Sequence, residues 1–256
     1  MNLKLTILGC GTSTGVPMVG CSCRGCISSD IRDKRSRASL LMEYDGRAIL
    51  IDTSPDLRQQ MLREKIMHID AVLFTHAHAD HVNGIDDLRG FHFLHREVVP
   101  CYASPVTLET LLNGFGYIFR EYDGSGYTPL LEPHEISGPF ELFGHVLIPV
   151  PLAHGKSESL GFRIGNFAYL TDCSGIPDAS HLLLQDLDVL VVDGLRWNAH
   201  PSHFNIETVI AATRHLNAGR TILTHLTHDV LFSEREKLPI GYEFAYDGMT
   251  FECGLT

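Results

Sequence analysis

Three histidines and an aspartate fall within six positions of the stretch Thr75-His76-Ala77-His78-Ala79-Asp80-His81. Neutral imidazole and carboxylate are donors that suit Zn²⁺, and they also suit Mn²⁺ or Fe²⁺. The stretch closes the apolar run Ala71-Val72-Leu73-Phe74, which reads as a strand. Residues two apart on a strand point to one side, so His76 and His78 can close on a single ion. Asp80 and His81 fall past the strand end, where the curling chain can offer ligands to a second ion. A different donor set, Cys21, Cys23 and Cys26, spells C-x-C-x-x-C. Three thiolates can wrap one Zn²⁺, which then needs a fourth ligand from elsewhere in the chain.

Composition limits what such sites could serve. The chain has 256 residues, 44% of them hydrophobic, enough for one large domain or two small ones with a sizeable core. Its net charge of −11 argues against a broad nucleic-acid surface, which needs clustered basic groups. A small anionic substrate stays compatible, because bound cations dominate their local field. No apolar stretch approaches the length of a membrane span. Residues 1–8 alternate like a strand and lack the charged start and cleavage site of a signal peptide, so the chain reads as cytoplasmic. Seven cysteines is an odd count, and in that compartment the 21–26 cluster reads as metal-binding and not as a disulfide framework. A homodimer is the default assembly, since closed symmetric dimers are the commonest.

The elements that must position these residues follow a rhythm. A first strand, 3–8, ends in the glycine-rich turn Gly9 to Pro17, whose spacing does not fit a dinucleotide fingerprint. Residues 38–51 form a hairpin about Asp45-Gly46 and end at Asp52, read as orienting a histidine ligand. Ser54 is placed to cap a helix with Pro55 at its first position. Helices are expected over 85–95, 107–119, 177–184 and 206–216, the last with Asn205 as N-cap. His92 and His95, three apart, read as solvent-facing or core histidines. The segment 117–144 lacks clean periodicity and is a candidate lid. Later strands deliver His154, Asp172, Asp193 and then His225 and His228 at their ends. Residues 1–100 and 145–256 thus share a strand-then-donor rhythm and look like a duplicated unit, with six strand ends able to converge on one edge.

The complete H-x-H-x-D-H spelling over residues 76–81 resembles the signature of the metallo-β-lactamase superfamily. That resemblance covers nearly the whole chain. It implies an α/β (α+β) fold, a four-layer αββα sandwich, as one domain over 1–256 with a small zinc-binding insertion around 17–30. It also implies a binuclear site in which His76, His78 and His154 hold one metal, Asp80, His81 and His225 hold the other, and Asp172 bridges both.

The match is closer at subfamily level. The Gly11-Thr12 turn, the cysteines after Val16-Pro17, the run Pro151-Leu152-Ala153-His154 and the run Thr224-His225-Leu226-Thr227-His228 are similar to the phosphoribosyl cyclic phosphate phosphodiesterases of the carbon–phosphorus lyase pathway. The resemblance implies a structural zinc on Cys21, Cys23, Cys26 and His228, and a general acid at His203, with His200 in reserve. Asp80 would ligate a metal and also orient the nucleophile. The implied activity is hydrolysis of a small phosphodiester, cyclic ones included, by water activated on two divalent ions, Zn²⁺ or Mn²⁺. Lys156 and Arg196 are cations available for substrate phosphate, though both also suit ordinary surface positions. Residues 197–201 and 117–144 depart from that family, and those are places where substrate is read. Transfer-RNA 3′-processing endonucleases share the metal set but grip a long polyanion through an arm or basic surface that is not evident here. A thioesterase or lactonase of the same fold would carry the metals but has no need of the general acid. The quinone-cofactor biosynthesis B proteins, similar around the cysteines, represent a non-catalytic carrier alternative.

Overall fold

The computed structural model describes residues 2–120 and 130–255. Six strands come from the first half: β1 (Asn2–Gly9), β2 (Ser39–Tyr44), β3 (Arg47–Ile51), β4 (Ala71–Leu73), β5 (Val99–Ala103) and β6 (Leu131–Glu135). The second half supplies β7 (Phe140–Leu142), β8 (His145–His154), β9 (Ser157–Ile164), β10 (Phe167–Leu170), β11 (Val189–Asp193), β12 (Arg220–Thr224), β13 (Tyr242–Phe244) and β14 (Met249–Gly254). They form two seven-stranded sheets, ordered β14-β1-β2-β3-β4-β5-β6 and β13-β12-β11-β10-β9-β8-β7. From β14 to β6, three antiparallel pairings are followed by three parallel ones, and from β7 to β13 the same succession recurs. The repeated rhythm of the sequence is therefore a repeated topology.

The sheets face each other across a core that draws Leu5, Met42 and Ile49 from one and Phe162, Tyr169 and Val191 from the other. Every residue of β10 and β11 is buried, because the opposite sheet covers one face and helices the other. On the first sheet, α1 (Leu57–Glu64), α2 (Ala79–Val82), α3 (Arg89–His95) and α4 (Pro105–Phe119) form the outer layer, burying Leu57, Met61, Val82 and Leu111. On the second, α6 (Ile206–Thr213) buries Ile206 and Val209, and α5 (Asp178–His181) packs on β8 through Ser180, whose hydroxyl donates to Pro151 O at 2.6 Å. Each such aliphatic side chain taken from water stabilises the fold by about 1.5–3 kcal/mol. The result is the αββα sandwich. Among the described residues, no helix is long and apolar enough to cross a membrane.

Two local expectations need correction. Ser54 does not cap α1. The helix begins at Leu57, and Ser54 instead holds the turn before it, accepting from Asp56 N at 3.2 Å and giving its own carbonyl to Leu57 N. Nor is 117–144 one irregular lid. Residues 117–119 finish α4, 131–135 extend the parallel part of the first sheet as β6, and 140–142 form β7. The part spanning 121–129 lies outside the described residues. Backbone pairing to β5 and β8 outweighs the weak local pattern there. Asn205, in contrast, caps α6 as expected, accepting from Thr208 N at 2.7 Å.

Candidate metal centre

Six chain segments leave the sheets at one edge and bring their polar ends together: Asp52 after β3, Thr75-His76 after β4, His154 ending β8, Asp172 after β10, Asp193 ending β11 and His225 after β12. Short α2 then returns Asp80 and His81 to the same place. Donor atoms of His76, His78, His154 and Asp172 lie within 4.8 Å of one another, and so do those of Asp80, His81, Asp172 and His225. Asp172 divides its carboxylate between the groups. Its Oδ1 stands 3.1 Å from His81 Nε2 and 3.1 Å from His225 Nε2, while Oδ2 stands 3.6 Å from His76 Nε2 and 3.7 Å from His154 Nε2. Asp80 Oδ2 completes the group of His81 and His225, at 3.4 Å from His81 Nε2 and 3.7 Å from His225 Nε2.

Hydrogen bonds behind the imidazoles decide which nitrogen faces inward. His81 Nδ1 meets Asp52 Oδ2 at 2.7 Å, so its Nε2 looks into the cluster. Asp52 also accepts from Thr75 N and from the Thr75 hydroxyl, both at 2.8 Å. Having donated its proton there, that hydroxyl can only accept from His76 Nδ1, 3.0 Å away, which frees His76 Nε2. His154 Nδ1 donates to Ser202 O at 2.8 Å with the same effect. His78 faces its neighbours with Nδ1 instead, 2.8 Å from His76 Nε2.

Asp52, Asp172 and His225 all take left-handed backbone conformations, with φ of 63°, 51° and 59°. Such residues cost about 1–3 kcal/mol each unless their surroundings impose them. The duplicated halves impose two of them alike. Ser39 donates to the carbonyls of Ile51 and Asp52, and Ser159 donates to that of Asp172 at 2.8 Å.

The donors fit divalent metal binding. Nε2 of His81 and both ring nitrogens of His225 are buried without a hydrogen-bond partner among the described residues, a costly state unless something else binds there. The electrostatics agree. Burial disfavours a charged His81, yet Asp172 and Asp52 outweigh it and hold the ring's pKa well above its ordinary value. His225 is raised too, Asp172 and Asp80 overcoming its burial. Burial acts against the Asp172 carboxylate, but His225 and His81 pull it well below the usual range. His76 and His154 shift down, chiefly from burial. Protons thus sit where cations would balance the carboxylates.

The cysteine set gathers separately. The sulfurs of Cys21, Cys23 and Cys26 and Nδ1 of His228 lie within 4.8 Å of one another, with Cys23 Sγ 3.0 Å and Cys21 Sγ 3.6 Å from that nitrogen. Three thiols and an imidazole fit a closed tetrahedral zinc site. The His228 ring also draws the Cys23 thiol down to about 6. A Cβ on Gly25 would fall 2.1 Å from His228 O, so only glycine lets the cysteine loop close on that segment. Buried Arg35 ties the same segment down, donating from Nη1 to Thr227 O and Val230 O, both at 2.9 Å.

Of the remaining expected residues, His203 is at the cluster. Its ring stacks on His225 at a centroid distance of 4.9 Å, and its Nε2 stands 4.0 Å from Asp172 Oδ2. His200 lies tilted against His203 at a centroid distance of 5.1 Å, and its Nδ1 accepts from the Ser202 hydroxyl at 3.2 Å. His92 Nδ1 engages Glu97 O and His95 Nε2 engages Met67 O, away from the cluster. Lys156 is exposed, while Arg196 donates to Asn198 O and Ala199 O, bracing the loop that carries His200. Two contributors had no role assigned from the sequence. Asp193, fully buried, meets His203 Nδ1 at 2.6 Å and accepts from Cys173 N at 3.0 Å. Its only sequence signal was an aspartate ending an apolar strand. Thr75, which links Asp52 to His76, had no signal beyond adjacency to the motif.

An αββα sandwich with a His/Asp donor cluster at its sheet edge defines a metal-binding hydrolase scaffold. Residues 47–226 match the family described as the β-lactamase superfamily domain, and the chain belongs to that superfamily, with the metallo-β-lactamase fold. A crystal structure of a new diphosphatase from the PhnP family is 44% identical, with a TM-score of 0.94, and the match covers 100% of this chain and 98% of that one. An octanoyltransferase of Porphyromonas gingivalis is 41% identical over 253 residues, 96% of this chain but 51% of the relative, so the chain spans about half that protein's length. A coenzyme PQQ synthesis protein B of Xanthomonas oryzae pv. oryzae is 27% identical over 300 residues, covering 96% of this chain and 99% of the relative.

Proposed function

We propose that the chain is a binuclear metal-dependent hydrolase of a small phosphodiester, with cyclic phosphodiesters in the substrate class. One observation carries this reading: a single carboxylate, Asp172, turns one oxygen to each of two histidine sets, while a carboxylate-held histidine, His203, stands beside it. In this reading His76, His78 and His154 hold one divalent ion, Asp80, His81 and His225 the other, and Asp172 bridges them. Cys21, Cys23, Cys26 and His228 hold a structural zinc. Bound in pairs, such ions supply Lewis acidity toward phosphoryl oxygens and lower the pKa of coordinated water.

The chain's own residues do the rest. Asp52 and Thr75 fix the rings of His81 and His76, so their inward nitrogens need no rearrangement when substrate arrives. Asp80, at the rim of its group, is placed to orient the attacking water. Cleavage of a phosphodiester leaves an alkoxide that needs a proton. His203 supplies it from Nε2, and Asp193, accepting from Nδ1, keeps the ring aimed at the cluster.

A second reading, hydrolysis of a diphosphate linkage, is favoured by the 44%-identical diphosphatase. Its leaving group is a phosphate, which leans less on His203. The octanoyltransferase name belongs to a protein of which only 51% is matched, and it supports no acyl-transfer reading of this half alone. A non-catalytic carrier role would not require the His203–Asp193 pair. Assaying metal-loaded protein on bis(4-nitrophenyl) phosphate, a cyclic nucleotide, an organic diphosphate, a thioester and a lactone separates these readings. Turnover of the phosphodiesters above all others is expected. Turnover of the thioester or lactone alone would overturn the proposal.

A further inference from the structure

A cavity of about 400 Å³ opens beside the ends of β1 and β13, outside the His/Asp cluster. Five cationic side chains line it, Arg32, Lys34, Arg35, Arg37 and Arg63, against two carboxylates, Asp56 and Asp247. Asp30, Asp33 and Glu64 pair with Arg32, Arg35 and Arg63 just outside that lining, which leaves Lys34 as the lining cation with no carboxylate partner among the described residues. Four of the five cations come from the hexapeptide Arg32-Asp33-Lys34-Arg35-Ser36-Arg37, laid along the wall by backbone pairing of Arg35 with Val16 and of Ser36 with Gly11.

We propose that this cavity is a second binding site, selective for the phosphate group of a small phosphorylated ligand. The arms are already set. Arg32 spends Nε and Nη2 on Asp30, at 2.9 and 2.7 Å, and lies over the Phe232 ring at 4.2 Å. Arg37 spends Nη1 on Asp56 at 2.7 Å and Nε on Ser13 O at 3.3 Å. Arg63 spends all three nitrogens, Nη1 on Asp247 at 3.2 Å, Nε on Glu64 at 2.6 Å and Nη2 on Leu8 O. A guanidinium has five N–H donors, so Arg32 and Arg37 each keep N–H groups for a ligand and lose little rotamer freedom in using them. Lys34 is tied only to a neutral carbonyl, donating to Cys26 O at 3.0 Å. The fourth guanidinium points the same way. Arg35 is 2% exposed and its Nη2 meets Asp33 at 3.3 Å, but its Nε has no hydrogen-bond partner among the described residues, a buried donor that an oxyanion in the cavity would satisfy.

Converging guanidiniums suit a tetrahedral dianion better than a planar carboxylate, and the volume leaves room for the organic part of a small phosphate ester. The site sits close to the cluster along the chain. Thr12, in the turn before the cavity wall, donates from its amide to Leu226 O at 3.2 Å, next to His225. The proposal does not depend on the phosphodiesterase reading.

The test is calorimetric titration of the metal-loaded protein, separately with inorganic phosphate and with glycerol phosphate. Arg32→Gln and Arg37→Gln should each weaken binding about tenfold, the size of one charge-assisted hydrogen bond. Their melting temperatures and turnover of bis(4-nitrophenyl) phosphate should hold. Arg32→Lys should recover part of the loss. Asp172→Ala should leave the phosphate titration in place. The preferred titrant tells whether the free ion or the ester is the occupant. Binding that vanishes in Asp172→Ala and ignores both arginine variants would move the anion to the His/Asp cluster and overturn the proposal. Absence of binding at millimolar concentrations would also overturn it. Loss of bis(4-nitrophenyl) phosphate turnover in Asp172→Ala alone bears on the catalytic reading and leaves this site standing.

Discussion

The pairing of His203 with Asp193 makes a quantitative prediction about leaving groups. His203→Ala removes the proton donor, and general-acid catalysis is worth about 10²–10⁴-fold when the departing group is a poor one. An alkyl phosphodiester should lose that much, while bis(4-nitrophenyl) phosphate, whose leaving group departs unprotonated, should lose less than about tenfold. Asp193→Asn acts one step behind. It replaces a fully buried anionic acceptor, 2.6 Å from His203 Nδ1, with a neutral amide of the same shape. A hydrogen bond to a charged group contributes about 1.5–3 kcal/mol, which converts to about 10- to 150-fold. Asp193 works through His203, so the double variant should be no slower than His203→Ala alone, a non-additive cycle. The assay is steady-state turnover of both substrates by the four proteins, each with its metal content measured. Equal losses on the two substrates, or additive losses in the double variant, would refute the general-acid assignment and leave Asp193 as a mere structural prop for Cys173 N.

Three other outcomes follow from the site's geometry. In metal-free protein Cys23, with its thiol near 6 beside the His228 ring, should be alkylated by iodoacetamide along a pH curve centred about there, and zinc should protect it; alkylation rising only above pH 8 would contradict the contact. Gly25→Ala should lower zinc content and cost about 1–3 kcal/mol of stability, since its Cβ would meet His228 O at 2.1 Å; a normal denaturation midpoint with full zinc would argue that the loop closes differently. His81 and His225 are raised by the carboxylates around them, so metal binding must expel their protons. Affinity should fall as pH drops through those raised values and level off above them, and calorimetry in two buffers of different ionisation heat should report proton release. Buffer-independent heats near neutral pH would contradict it.

Much of this centre was legible because its donors stand at strand ends, where a run of apolar residues makes a lone histidine or aspartate conspicuous. His154, Asp172 and His225 each end or follow such a run, and the dense 76–81 stretch names the chemistry. Topology then does what spacing cannot: two sheets with the same succession of pairings bring these ends to one edge. What stayed illegible acts over long sequence distances or through the backbone. Asp193 and His203 are ten residues apart and meet only because the chain folds back across Cys173. Ser39 and Ser159 hold the left-handed aspartates through carbonyl contacts that leave no periodic trace. Ser54 misled for a related reason: its hydroxyl satisfies a turn two residues before the helix starts, a local competition that the Ser-Pro spelling cannot settle. In 117–144, strands β6 and β7 owe their existence to partners and not to their own residues.

The central claim is that one carboxylate serves two cation sites while the cysteine set holds a third apart. Metal content per chain by inductively coupled plasma mass spectrometry, on wild type, Asp172→Ala and Cys23→Ser, tests it most directly. Asp172→Ala should keep only the thiolate-bound zinc, and Cys23→Ser should keep only the pair around Asp172. Full metal content in Asp172→Ala, at a normal melting temperature, would contradict it.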